Sequence, residues 1–136
     1  MNKIFSSSPL WQNSGLALIR MIVGIFLIYH GWEILSTSKM NEYIKWDMFR
    51  NSSGKLLVYA GKGAELITGI LLFAGLFTRI AAIILIGTML YITFFVGNGK
   101  IWYDDQYPFL FALLGFVFFF TGAGKWSGDY LLFNKN

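Results

Sequence analysis

The sequence contains no cysteine. Disulfides, thiolate nucleophiles, iron–sulfur clusters and Cys-type zinc sites are therefore excluded. It contains a single histidine, His30, which rules out a bis-His haem held within one chain. The most telling shortage is charge: Lys, Arg, Asp and Glu make up only 13% of 136 residues. A soluble domain of this size is mostly surface and needs more polar side chains than that to cover itself. An ordinary soluble enzyme and a nucleic-acid-binding module are excluded on this ground. Disorder is excluded as well, because disordered chains are rich in charge and poor in aromatics, and this chain is 19% aromatic.

What is present points to lipid as the solvent. Hydrophobic residues make up 56% of the chain, and the mean hydropathy is +0.57. The net charge of +4 reads as basic loops beside anionic headgroups. Four apolar stretches, 15–36, 56–76, 79–97 and 107–121, predict an all-α integral membrane four-helix bundle occupying 1–136 as a single domain. A spanning helix needs ~20 mostly apolar residues, and the first three stretches meet that length. The fourth is shorter, but its core at 109–120 carries no charge. A signal peptide is the competing reading of the first stretch. Its length and the interruption by Arg20 favour a retained helix.

The connections fit this count. Gly75 is a helix stop and Thr78 a candidate N-cap, so the second and third helices are antiparallel neighbours. Pro108 suits a helix start, with Asp104 and Asp105 at the positive end of its dipole. Gly122 and Gly124 end the last helix and release a polar tail. The 37–55 connection mixes basic residues with Tyr43, Trp46 and Phe49, as a segment at headgroup level does. Basic residues divide equally between the two faces, so charge gives no orientation.

Ionisable residues inside a span cost ~2.5–3.5 kcal/mol each on insertion scales, so each one asks for a reason. On the first helix, Arg20, Gly24, Leu27, His30 and Gly31 share a face; on the second, Lys62, Glu65, Gly69 and Phe73 do. Helical rise puts His30, Glu33, Lys62 and Glu65 at a similar depth on one membrane side. They are the candidate ligand-binding residues, in a pocket between these two helices. An acid, an ammonium and an imidazole there would handle protons beside an apolar redox ligand such as a quinone. His30 is the natural choice for proton exchange, since imidazole titrates nearest neutrality. The plainer alternatives are a self-neutralising Lys62–Glu65 pair and a solvated Glu33. Arg20 and Arg79 lie toward the opposite face and read as headgroup-contacting or structural residues, with snorkelling favoured for Arg20.

Three motifs are set aside. Gly122-Ala-Gly-Lys125 lacks the first glycine of a phosphate-binding loop, where Phe119 stands, and Trp126 follows the lysine. Asn51-Ser-Ser53 is a glycosylation sequon by pattern only. Asp104 and Asp105 alone make a weak metal site, and no metal is expected.

Gly15-Leu-Ala-Leu-Ile-Arg-Met-Ile-Val-Gly-Ile-Phe-Leu-Ile-Tyr-His-Gly-Trp-Glu33 resembles the opening helix of the DoxX family, with its Arg, Gly and His-Gly pattern. Glu65-Leu-Ile-Thr-Gly-Ile-Leu-Leu-Phe-Ala-Gly-Leu-Phe-Thr-Arg79 resembles the family's second block, and Thr121-Gly-Ala-Gly-Lys-Trp-Ser127 with Asp129 its closing pattern. Trp32 and Glu33 depart from the family's usual ending of the first helix, and the 37–55 connection has no counterpart in the pattern. The resemblance implies a four-helix, multi-pass protein of the bacterial inner membrane with both termini cytoplasmic. Some relatives are subunits of thiosulfate:quinone oxidoreductases, and others accompany redox or stress-defence enzymes. Two expectations follow. One is a redox-associated membrane component that binds quinone. The other is a non-catalytic subunit or scaffold whose partners are other membrane proteins and the lipid bilayer.

Overall fold

The computed structural model of the chain describes residues 3–46, 49–50 and 53–134. Asp47, Asn51, Ser52 and Lys135, which enter the loop composition, the sequon and the charge tally, lie outside the described residues. Among the described residues the regular elements are all helices, with no strand. The helices are α1 (Gln12–Gly31), α2 (Thr37–Ile44), α3 (Gly54–Ala74), α4 (Thr78–Tyr91), α5 (Gln106–Thr121) and α6 (Gly128–Phe133). α1 tightens into a 3-10 turn at Trp32–Leu35, and α4 widens into a π turn at Ile92–Val96.

Three helical runs are long and apolar enough to cross a membrane: Gln12–Leu35, Gly54–Ala74 and Thr78–Val96. They match the first three expected spans to within a few residues. α5 begins at Gln106, places Pro108 in its first turn as expected, and is a shorter apolar helix of 16 residues. At 1.5 Å per residue that is ~24 Å, less than a hydrocarbon core of ~30 Å.

α1 lies against α3 and α4 against α5, while α3 and α4 join the two pairs. Val23 and Leu27 of α1, Leu72 of α3, Leu85 and Met89 of α4, and Phe118 of α5 meet in one core. The α1–α3 contact depends on glycine. A Cβ on Gly24 would sit 2.8 Å from the Gly69 carbonyl oxygen, and one on Gly69 would sit 2.7 Å from the Ile28 backbone nitrogen. Lipid supplies no hydrophobic drive between helices, so such close backbone packing is what holds them together. The outward faces carry Ile22 and Phe26 on α1, Ile67 and Ile70 on α3, and Ile80 and Ile83 on α4, all exposed.

Two local expectations are corrected. Thr78 is not the cap of α4. It is the first helical residue, Phe77 holds the cap position with φ 47°, and neither side chain accepts a capping bond. The cap comes from the tail: the Asp129 carboxylate accepts the Phe77 N–H at 2.6 Å and the Thr78 N–H at 2.9 Å. Second, Gly122 does end α5, but the tail is not released. Ser127 accepts the Tyr130 N–H at 3.2 Å to start α6, and the Asp129 N–H donates to the Gly75 carbonyl at 2.8 Å. Asp105 stands at the N-cap position of α5, at the positive end of its dipole as expected, but makes no side-chain capping bond. Its carboxylate accepts the Asn98 and Lys100 N–H groups at 2.9 Å each and closes the loop before the helix. Those backbone bonds, from Lys100 first and then Asn98, hold the carboxyl below its usual range.

Part of the 37–55 connection is helical, Thr37–Ile44 forming α2. Ser36 caps α2 by accepting the Lys39 N–H at 3.4 Å, and Met40 is fully buried against Phe49 and Val58. α2 therefore folds back over the N-terminal half of α3.

Candidate functional site

Lys62 and Glu65 are three residues apart on α3 and so share a face. The 3-10 turn after α1 brings Glu33 to that face, and α2 brings Tyr43. The Lys62 Nζ lies 3.3 Å from Glu65 Oε2 and 3.6 Å from Glu33 Oε2. It also donates to the His30 carbonyl at 3.4 Å and sits 4.7 Å from the centre of the Tyr43 ring. The Tyr43 hydroxyl donates to Glu33 Oε2 at 2.7 Å. One ammonium thus joins two carboxylates, a carbonyl and an aromatic face, drawn from three helical elements. With both acids ionised the cluster carries one negative charge. Burial raises the Tyr43 phenol above its usual value, and the bond to Glu33 adds to that rise.

Of the residues expected to meet, Glu33, Lys62 and Glu65 come together. His30 takes part only through its backbone carbonyl. Its imidazole is exposed and stands edge-on to Tyr29, with ring centres 5.6 Å apart. Glu65 is the most enclosed member of the cluster, at 7% exposure.

The cavity at this end of the molecule, about 240 Å³, is not between α1 and α3 as expected. It lies on the other flank of α3, between α2, α3 and α4, because Gly24, Gly31 and Gly69 close the α1–α3 seam. Lys62 and Glu65 reach it from α3. Tyr43 and Trp46 wall it on the α2 side, and Thr88 and Tyr91 on the α4 side. Glu33 and His30 do not line it. Its lining is mostly apolar, four aromatic and four aliphatic side chains, together with the Lys62–Glu65 ion pair. Among the described residues no group of acidic or His side chains is placed to hold a metal ion.

Arg20 sits at the opposite end of the bundle and does not snorkel. It is 2% exposed, with Nε donating to the Leu72 carbonyl at 2.8 Å, Nη1 to Ala123 at 2.6 Å and Nη2 to Trp126 at 2.9 Å. The guanidinium satisfies a carbonyl at the end of α3 and two in the segment after α5, and so ties α1 to both. A headgroup reading fails because the tail folds over the position through which the side chain would have reached solvent. Arg79 is exposed and donates to the Phe119 carbonyl at 3.0 Å, a cation at the C-terminal end of α5.

Tyr43, Trp46, Thr88 and Tyr91 are the site residues that sequence reading did not single out. The 37–55 aromatics were noted, but nothing in one sequence says that α2 turns back onto α3.

The model of the DoxX family matches residues 15–98. The chain is 33% identical over 128 residues to an uncharacterized protein of Haemophilus influenzae, an alignment covering 88% of this chain and 92% of that relative. No solved structure matches it.

Proposed function

The chain belongs to the DoxX family, and from that premise we propose that it is a multi-pass protein of a bacterial inner membrane that holds the ring of a quinone-type ligand beside Lys62 and Glu65. In this reading α5 counts as a fourth crossing, its uncharged length made up by local thinning of the bilayer. The observation that carries the proposal is the cavity of about 240 Å³ walled by Tyr43, Trp46 and Tyr91, with an ion pair at its edge. Flat aromatic walls suit a planar ring, and a carbonyl on that ring needs a donor, which the Lys62 ammonium supplies. Of the two carboxylates beside that donor, Glu65 is the one that lines the cavity, and it is the group to hold or release a proton there.

Reducing a quinone takes two electrons and two protons. This chain carries the proton-handling groups but no cysteine, and so the electrons are assigned to a membrane redox partner. Lys62 binds and orients, Glu65 exchanges the proton, and Glu33 with Tyr43 fixes the lysine.

Titrating the purified protein with a short-chain quinone analogue tests this. Binding is expected, weakened about tenfold or more in both Lys62→Met and Trp46→Leu, one charged-group or ring contact each. No binding, or binding indifferent to both substitutions, sinks the redox reading and leaves a non-catalytic subunit.

A further inference from the structure

We infer that the opposite end of the molecule carries a site for an anionic phospholipid, with its phosphate held between Arg79 and Lys125. A cavity of about 510 Å³ opens there, bounded by the start of α4, the end of α5, the 122–125 turn and α6. Arg79 and Lys125 both line it. The bond from Arg79 Nε to the Phe119 carbonyl fixes the guanidinium over Gly122, and its other N–H groups have no bonded partner among the described residues. Lys125 is exposed, and its ammonium has no bonded partner among the described residues. Asn13 lines the same cavity. Its Oδ1 accepts the Lys125 N–H at 3.4 Å, which leaves the amide Nδ2 as a further donor.

One carboxylate, Asp129, shares this wall, and it is already committed. Both its oxygens accept backbone N–H groups at the start of α4, at 2.6 and 2.9 Å. The two basic side chains therefore remain for an incoming anion. A fork of N–H donors and a point charge are the pair that recognises phosphate oxygens.

Depth and lining decide between a free phosphate and a lipid. Arg79 is the second residue of the Thr78–Val96 run, at the boundary between headgroups and hydrocarbon. Phe77, Ile80 and Phe133 line the cavity and are exposed. Free phosphate has no use for three apolar side chains, whereas the acyl chains of a phospholipid lie along them while its headgroup reaches Arg79 and Lys125. This site is at the other end of the bundle from Lys62 and does not depend on any quinone.

Native mass spectrometry of delipidated protein, re-supplied with phosphatidylglycerol or phosphatidylcholine, tests the inference. Phosphatidylglycerol is expected to be retained well above phosphatidylcholine, because each basic residue near an anionic surface contributes about fivefold. Lys125→Gln should weaken retention about fivefold, and Arg79→Gln with Lys125→Gln about thirtyfold. Lys125 makes no side-chain bond, so its variant keeps the fold and carries the test alone if Arg79→Gln misfolds. Equal retention of the two lipids, retention unaffected by Lys125→Gln, or displacement of phosphatidylglycerol by inorganic phosphate would each overturn it.

Discussion

Asp129, fifty-one residues beyond Thr78, caps the helix that Thr78 begins, accepting its N–H at 2.9 Å. The turn after Gly75 lacks a local acceptor for the first N–H groups of α4, and the tail supplies a charged one. Asp129→Ala should lower stability by about 1–2 kcal/mol, the range for a lost cap. Asp129→Asn keeps an acceptor but loses the charge–dipole attraction and should fall between the two. Thermal unfolding of both variants in detergent gives the order. Equal loss in both would show that the charge alone matters.

Arg20 makes the denser knot at the same end. Of its three carbonyl partners, Leu72 also accepts the Gly75 N–H at 3.2 Å, whereas Ala123 and Trp126 have no other donor among the described residues. Arg20→Lys keeps the charge but not the fork, so at least one carbonyl loses its donor. A loss of about 2–3 kcal/mol is expected, the cost of a hydrogen bond to a charged group. Trp126 emission should shift to the red as the 122–127 segment loosens. A lysine variant as stable as the parent would mean that the carbonyls are satisfied in some other way.

These two ties also mark where the sequence stops being legible. The spans could be read because apolar length is local, and the Gly24 and Gly69 seam because small residues recur at helical spacing. Helical face and rise per residue placed Glu33, Lys62 and Glu65 together, and with them His30, whose imidazole is exposed. The return of α6 onto the Gly75 turn was not legible, nor that of α2 onto α3. Each rests on contacts between residues distant in the chain. Arg20 was therefore assigned to headgroups, and the cavity to the wrong flank of α3.

Gly69 offers a test of the α1–α3 seam. The Cβ of any larger residue would meet the Gly24 carbonyl oxygen at 2.8 Å, a backbone atom that cannot move aside. Gly69→Leu should separate the two helices and cost about 1–3 kcal/mol, as overpacking does elsewhere. Gly61 faces open space within 4 Å, and Gly61→Ala should be nearly neutral. A crosslink between one cysteine introduced into α1 and one into α3, efficient when Gly69 is kept and poor with Gly69→Leu, reports the separation directly.

Lys62 holds two carboxylates, at 3.3 and 3.6 Å, so the three charges form one unit. Lys62→Met leaves Glu33 and Glu65 facing each other without a cation and should cost about 3 kcal/mol, the low end for a broken buried pair. Lys62→Met with Glu65→Gln removes the stranded charge and should recover much of that loss. The double-mutant cycle isolates the coupling. Additive losses would mean that the two side chains are solvated independently.

The Tyr43 hydroxyl provides a pH readout of the same cluster. Its folded pKa is raised, by burial first and by the Glu33 carboxylate next, above an unfolded value of about 10. A raised value means that the neutral phenol is favoured in the fold. The stabilisation is therefore fully present below pH ~10 and is lost as pH rises through the folded value. Phenolate absorbance should show a late step that Tyr43→Phe removes. Glu33→Gln removes the nearby charge but not the burial, so the step should move down without reaching its ordinary position. A step unmoved by Glu33→Gln would show that burial alone raises it and that the 2.7 Å bond does not couple Tyr43 to the charge cluster.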